Sequence, residues 1–305
     1  MQEKRNRKTL QELTFKDNFM FAAVMMDEEN AKGVLERALD IVIDHLDISY
    51  EKSIVYNPEY KGIRLDVYLK DDKNTHFDVE MQIANKSIVK RSRYYHSQID
   101  MELLGAGLDY ENLPETYVIF ICDFDPIGLK KYKYTIAQYI QEDETFPYSD
   151  GSHTVFLSTV GENENEVSDS LVNFLKYAGA GFEESTKSYS DEFVSRLQKS
   201  VEKIKFDREF GRRYMLVEEL MKDEYNAGKE AGRAEGKAEG MAEGMRTALS
   251  DSILGFLSDL APVSDNLKSR IAAIDDLEVL TSLSKKAART ASIDEFEQEL
   301  TAQNY

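Results

Sequence analysis

Two short stretches of alternating polarity, joined by a polar turn, constrain the fold of this chain more than any other feature of its sequence. Apolar and polar residues alternate in RLDVYL at 64–69 and again in FDVEMQ at 77–82. The residues between them, KDDKNT, have the composition of a tight turn. Because neighbouring side chains of a strand point to opposite faces, the pattern predicts a β-hairpin with one apolar and one polar face.

The segments around this hairpin predict a sheet with helices on its faces. Residues 15–45 carry apolar residues at helical spacing with a break near 27–30, and residues 87–109 return to that spacing. The continuous apolar run TYVIFIC at 116–122 predicts a buried central strand. Further strands are predicted in YKYTIAQYI and HTVFLST, and a further helix in SDSLVNFLKYAG, with a cap at Ser168 or Asp169 and an end at Gly179. The expected class is α/β, with a mixed sheet flanked by helices.

The second part of the chain predicts helix throughout. Glycine occurs at every fourth position from Gly228 to Gly244, although each glycine costs a helix about 1 kcal/mol relative to alanine. A groove for close helix–helix contact and a flexible spacer both explain this row, and we favour the spacer. We therefore expect four regions, which are a domain at 1–184, connecting helices at 185–226, a glycine-periodic helical spacer at 227–247 and an all-α region at 248–305.

Composition restricts the classes of function. The chain has 305 residues, a net charge of −19 and one cysteine, Cys122, which excludes an intramolecular disulfide framework and a cysteine-rich zinc site. No apolar run approaches the about 20 residues of a membrane span, and the N-terminus lacks the apolar stretch of a signal peptide. We expect a cytoplasmic protein without a membrane partner. The acidic balance argues against a broad nucleic-acid surface, but a narrow basic patch is compatible with it.

The polar face of the hairpin carries two carboxylates and an amide. Asp66, Glu80 and Gln82 share this face, and Asp66 lies opposite Glu80 if the turn centres on Lys73. Their Cβ atoms would then be about 4.5–5.5 Å apart. A Mg²⁺ ion, which proteins commonly hold with one or two carboxylates plus water, would remove the repulsion between them. The alternative from spacing alone is an ordinary polar strand face exposed to solvent.

An ordered series of segments resembles the PD-(D/E)XK nuclease core, and specifically its transposase branch, the recombination-promoting nuclease group. The Asp66 position, followed after thirteen residues by Glu-x-Gln, is similar to the family's site motif. Further segments similar to the family are FKDNFMF at 15–21, KRSRYY at 90–95, IFICDFDP at 119–126 and YSDGSHTVFL at 148–157. The resemblance extends over most of the chain, including the glycine row and the helical tail.

This resemblance implies a fold, an activity and a cofactor. The fold is restriction-endonuclease-like, with Asp66 on the second strand and Glu80 and Gln82 on the third. These three residues would catalyse phosphodiester hydrolysis in DNA, with Mg²⁺, or Mn²⁺ in its place, held by Asp66, Glu80 and the main-chain carbonyl of Met81. Gln82 stands where most relatives have lysine. The alternative function is a catalytically silent DNA-binding or self-associating protein that keeps the nuclease fold.

A basic cluster follows the hairpin. Lys86, Lys90, Arg91 and Arg93 lie within eight residues of an otherwise acidic chain, and basic side chains beside the carboxylates suit a phosphate backbone. Arg91, Arg93 and Tyr95 are the candidate DNA-binding residues, and Arg93 to Tyr95 match the family's Arg-Tyr helix segment. The other interpretation is a solvated helix face with Tyr95 in the core. A homo-oligomer formed through the C-terminal helices is the second expected partner.

Overall fold

A computed structural model describes residues 8–50, 52–54, 62–84 and 87–302. The chain divides into two compact units, Met1–Leu216 and Val217–Tyr305. The candidate site lies in the first of them.

Among the described residues, the strands all lie in the first unit. They are β1 (Leu46–Tyr50), β2 (Ser53–Ile54), β3 (Ile63–Arg64), β4 (Val67–Asp71), β5 (His76–Gln82), β6 (Thr116–Cys122), β7 (Lys133–Ile136), β8 (Gln138–Ile140), β9 (Asp143–Tyr148) and β10 (Ser152–Ser158). The helices are α1 (Asn18–Met25), α2 (Glu28–Leu39), α3 (Ile88–Leu103), α4 (Asp169–Ala178), α5 (Phe182–Ser185), α6 (Glu192–Phe206), α7 (Arg208–Ser258), α8 (Asp265–Ala272), α9 (Leu277–Ala287) and α10 (Ile293–Ala302).

The central sheet is mixed, as predicted. Its strand order is β1-β4-β5-β6-β10-β7. Strands β4 and β5 form the predicted antiparallel hairpin, whereas β5, β6 and β10 run parallel. A parallel pair requires a long crossover connection, and α3 provides it between β5 and β6. The α/β class with a helix-flanked mixed sheet is thereby confirmed.

Helices cover both faces of the sheet. Val79, Met81 and Ile121 face a layer that contains α1, α2, α4 and α6. Phe120 and Phe156 face the other side, where they pack with Tyr95 of α3. The central strands are therefore buried on both faces, as in other sheets with crossover helices.

For the helical segment predicted at 15–45, the break near 27–30 is confirmed and the predicted end is wrong. Asp27 caps α2 by accepting a hydrogen bond from the Asn30 amide, which separates α1 from α2. Asp40 then adopts a left-handed conformation with φ of 57° and ends α2. Leu46 belongs to β1, opposite Asp71. The expected helix up to residue 45 is thus too long, because the apolar spacing continues through a loop into an edge strand.

The helix α6 belongs to the first core. Val194, Leu197 and Val201 are buried together with residues of α1, α2 and α4, so the first unit extends past residue 184. In the second unit, α8, α9 and α10 pack with the end of α7 around Leu257 and Phe296. Within the part of the chain that the structure describes, no helix combines the length and apolarity needed to cross a membrane.

Candidate active site

The hairpin register brings Asp66 and Glu80 together. Val67 pairs with Val79, which places Asp66 opposite Glu80 one step further along. The Asp66 amide donates a hydrogen bond to Oε1 of Glu80 at 3.0 Å. The amide of Met81 donates to Oδ2 of Asp66 at 3.3 Å. The predicted juxtaposition of the two carboxylates is confirmed.

The turn fixes this register. Asp71 accepts hydrogen bonds at Oδ1 from the amides of Lys73 and Thr75, at 2.9 and 2.8 Å. Asn74 takes the left-handed conformation with φ of 64°, which asparagine tolerates better than most residues. A shift of the register by one residue would move Glu80 to the opposite face of the sheet. The turn sequence therefore determines which acids meet.

The polar face of the hairpin is buried. Glu80 is 2% exposed and Asp78, on the same face, is 0% exposed. The crossover helix α3 covers this face, with Tyr95 and Ile99 in its apolar core. The solvent-exposed strand face that spacing alone allowed is therefore excluded.

Burial determines the protonation of these acids. Burial and, after it, the nearby Asp66 carboxylate raise the pKa of Glu80 to about 8, although the Asp66 amide and Arg91 act in the opposite direction. The pKa of Asp78 is raised well above its ordinary value, first by burial and then by Glu80. Among the described residues, neither carboxylate oxygen of Asp78 has a hydrogen-bond partner. The raised pKa favours the protonated form of Glu80 when no divalent metal ion is bound.

Arg91 and Gln82 complete the group. Arg91 Nη1 donates to Oε1 of Gln82 at 2.7 Å, and Nη2 lies 3.3 Å from Oε2 of Glu80. The amide nitrogen of Gln82 donates to the same Glu80 oxygen at 3.1 Å. Arg91 Nη2 also donates to the Tyr95 hydroxyl at 2.7 Å. The guanidinium thus lies directly beside both predicted catalytic side chains on β5.

The basic cluster separates into two places. Arg91 faces Glu80, whereas Arg93 is exposed and lines a cavity on the other flank of α3 together with His96. Tyr95 is 7% exposed and packs on Phe120, with ring centroids 5.8 Å apart. Lys86 lies outside the described residues. The structure brings Asp66, Glu80, Gln82 and Arg91 together, and it leaves Arg93 apart from them.

Two residues of the site were not predicted. Asp78 belongs to it through its position on the same strand face as Glu80, and the alternation of β5 could have indicated this. Arg64, close to the hairpin, contributes positive charge that lowers the Glu80 pKa. Its alternation with Leu65 assigned it to the polar face, but nothing in the sequence indicated its distance from Glu80.

The donor set fits a metal held by few side chains. In the described ranges, no group of three or more histidine, cysteine, aspartate or glutamate side chains is arranged to hold an ion. Asp66 and Glu80 offer two carboxylates, and magnesium sites commonly use one or two with waters. The Met81 amide points to Asp66. The carbonyl of a strand residue points to the same side as its amide, so the Met81 carbonyl faces this group as well.

The family of the chain follows from a comparison with known protein families. No curated protein and no solved structure matches the chain. The family model described as PD-(D/E)XK nuclease family transposase matches residues 5–231, which is well over half of the chain. The match includes the hairpin, α3 and the whole central sheet, and it supports a nuclease-like function. The chain belongs to the PD-(D/E)XK nuclease family transposases.

Proposed function

We propose that this protein hydrolyses phosphodiester bonds of DNA as a divalent-metal-dependent endonuclease. The observation that carries the proposal is the buried Glu80 carboxylate beside Asp66, with a pKa raised to about 8. Burying an acid next to a second carboxylate destabilises the folded state unless a proton or a cation compensates for the charge. A family member that keeps this arrangement is suited to binding a cation there.

The metal ligands in this proposal are Asp66, Glu80 and the Met81 carbonyl. Both carboxylates lie at one end of the β4–β5 ladder, within reach of each other's main chain. Mg²⁺, with Mn²⁺ as a substitute, would lower the pKa of a bound water and polarise the phosphate. Glu80 would release its proton on binding, since metal ligands must be deprotonated.

In most relatives a lysine stands at the position of Gln82. In this chain Gln82 and Arg91 together would perform the function of that lysine. Gln82 donates to Glu80 and accepts from Arg91, so its amide holds both side chains in place. Arg91 supplies the positive charge, and its guanidinium can bind a phosphate through two hydrogen bonds. The same site therefore keeps a cation beside the scissile phosphate without a lysine at position 82.

DNA contacts in this proposal come from Arg91 at the site and Arg93 on the exposed flank of α3. Tyr95 supports Arg91 through its hydroxyl and lies too deep to contact DNA directly. A role in transposition or recombination belongs to the same proposal. So does a cytoplasmic location, which suits the single, buried Cys122.

Nicking of supercoiled plasmid tests the proposal. The full chain is expected to nick DNA with Mg²⁺ or Mn²⁺ and to stop when EDTA is added. Glu80→Gln and Asp66→Asn should each abolish nicking, while the thermal stability stays equal or rises because each change removes the repulsion between two neighbouring carboxylates. Glu239→Gln, on the exposed face of α7, is the control and should cut like the wild type.

The alternative is a protein that binds DNA or itself without cutting. It is favoured if the wild type binds DNA and Mg²⁺ but leaves the plasmid intact under all conditions. Wild-type nicking rates in Glu80→Gln or Asp66→Asn would show that the assigned residues are wrong.

A further inference from the structure

A large cavity lies on the side of the sheet opposite to Glu80. Its volume is about 580 Å³, and its lining comes from residues 11–15, α4, α5 and α6 with their flanking residues. Phe15, Tyr177 and Val201 of this lining belong to the core layer that Val79 and Met81 face. The size is within the range of about 300–1,000 Å³ that is usual for small-molecule sites.

Aromatic side chains form much of the cavity wall. Phe15 and Tyr177 are buried, with ring centroids 5.7 Å apart. Phe182 and Phe206 also line the cavity and are 48% and 78% exposed. Aromatic faces stack on planar rings, and this stacking is favourable for every nucleobase. The wall therefore suits a ligand with a flat ring.

Three lysines line the same cavity, with one acid among them. The lysines are Lys187, Lys199 and Lys205, and the acid is Glu202. Lys205 Nζ lies 5.1 Å from the centre of the Phe182 ring, and burial lowers the pKa of this amine. Lys187 is already paired with Glu184 at 2.5 Å, so Lys199 and Lys205 provide the excess of positive charge over Glu202, in a chain with a net charge of −19.

The ammonium group of Lys205 has no close anion. Among the described residues, its Nζ forms neither a hydrogen bond nor an ion pair, although Asp17 attracts it from a distance. A half-buried cation without a counterion destabilises the folded state. An anionic group bound beside Lys205 would remove this cost.

We propose that this cavity binds a small anionic molecule that carries a planar ring, of the nucleoside monophosphate class. The phosphate lies beside Lys199 and Lys205, and the ring lies against Phe182. The site is separate from the Asp66–Glu80 group, because the two open on opposite faces of the sheet. It goes beyond the proposed nuclease function and does not depend on it.

Calorimetric titration of the full chain with adenosine 5′-monophosphate tests this site. EDTA is present, so that no metal can hold the ligand at Glu80. Saturable binding is expected, and Lys205→Gln and Phe182→Ala should each weaken it about tenfold. Lys205→Arg keeps the charge and should retain binding. Lys222→Gln, an exposed lysine of α7, is the control and should bind like the wild type.

Adenosine and inorganic phosphate separate the two halves of the site. Each should bind more weakly than the monophosphate. Of these two smaller ligands, Phe182→Ala should weaken the binding of adenosine but not that of phosphate. Lys205→Gln should weaken the binding of phosphate but not that of adenosine. The proposal is overturned if the monophosphate does not bind saturably, or if both variants, folded by circular dichroism, bind it like the wild type. Phosphate binding as tight as that of the monophosphate would also overturn it, because the ring would then contribute nothing.

Discussion

At the scale of single residues, the side chains around Glu80 are held by one another. Gln82 and Arg91 both contact Oε2 of Glu80, and Tyr95 accepts a hydrogen bond from Arg91. Arg91 lies over the Phe120 ring, 5.6 Å from its centroid, on a face of the sheet that carries two buried acids. A change at any one of these positions therefore alters the charge or orientation of the others.

The first prediction concerns the exchange of charge between positions 82 and 91. Arg91→Gln should lower the nicking rate about 100-fold, since it removes a positive charge from the site. Adding Gln82→Lys to that variant should restore part of the rate, because the lysine places a cation beside Glu80 again. Single-turnover nicking measures both. A double variant no faster than Arg91→Gln would show that Arg91 does not replace the missing lysine.

The second prediction concerns Arg93, which is exposed on α3. Arg93→Ala should weaken DNA binding and reduce the salt dependence of the binding constant by about one unit of slope, one phosphate contact being lost. Fluorescence anisotropy over a series of salt concentrations measures this slope. Arg289→Ala removes an exposed arginine of the second unit and should leave the slope unchanged. Equal slopes for both variants and the wild type would assign Arg93 to a solvated face.

The sequence was sufficient to predict which hairpin residues face each other, but not whether they are buried. The alternation of β4 and β5 and the turn composition were sufficient to place Asp66 opposite Glu80. Whether this face is exposed to solvent or buried depends on α3. This helix connects the parallel strands β5 and β6 and packs on the face. The periodicity of β4 and β5 does not determine how this helix folds back over them. The position of the helix also decides that Tyr95 is a core residue and that Arg91, rather than Arg93, meets Glu80.

At the scale of secondary-structure elements, α3 is held to the sheet by polar contacts as well as apolar ones. Nε2 of His96 lies 3.0 Å from the Thr154 hydroxyl, and Nδ1 lies 3.3 Å from that of Thr116. Burial lowers the pKa of His96 to about 4, with Asp150 opposing and His153 reinforcing the shift. The histidine therefore stays neutral between the helix and strands β6 and β10.

The third prediction follows from this neutral histidine. The unfolded chain takes up a proton on His96 near pH 6.5, whereas the folded chain does so only near pH 4. The folded state binds fewer protons in this interval, so its stability falls as the pH drops from about 6.5 to 4. His96→Asn should reduce that loss of stability. Part of the loss should remain, because burial also lowers the pKa of His76 to about 4. Urea unfolding at several pH values measures it, and an unchanged pH dependence would contradict the assignment.

The fourth prediction concerns the packing of α2 on α6. A Cβ atom at Gly33 would overlap the ring of Phe193, which also stacks under Arg37 at 3.9 Å. Gly33→Ala should destabilise the first unit by about 1–3 kcal/mol through overpacking, although alanine favours helix. Gly236→Ala, where an added Cβ meets no other atom of the described residues, is the control. Denaturant unfolding compares them, and a more stable Gly33→Ala protein would contradict the prediction.

This glycine also shows why helix boundaries and helix partners were harder to predict. Gly33 is unfavourable for an isolated helix, and the sequence alone gave no reason for its presence. The reason is the Phe193 ring, 160 residues away along the chain, on a helix that had been assigned to a connecting region. The amphipathic pattern of α6 identifies a helix correctly. It does not identify the core into which that helix packs.

At the scale of the whole molecule, each of the two units has its own apolar core. The first centres on the mixed sheet, and the second on Ile253, Leu267, Leu283 and other buried residues of α7 to α10. The row from Gly228 to Gly244 lies within the 51-residue helix α7. Added Cβ atoms at these glycines would meet no neighbouring atom of the described residues. The row therefore has no internal packing reason, which leaves the spacer and the contact groove as explanations.

The last prediction separates these two explanations for the glycine row. The combined substitution of Gly232, Gly236 and Gly240 by alanine should raise helicity, since each exchange favours helix by about 1 kcal/mol. If the row is a spacer, the molecular mass in light scattering and the nicking rate should both equal those of the wild type. If the row is a groove for close contact between copies of the chain, the added methyl groups would block that contact, and the mass should fall. The reverse variant, with glycine at Ala231, Ala234 and Ala238, should lower helicity and leave the glycine row itself intact. A lower mass for the alanine variant alone would reject the spacer and assign α7 to an assembly interface.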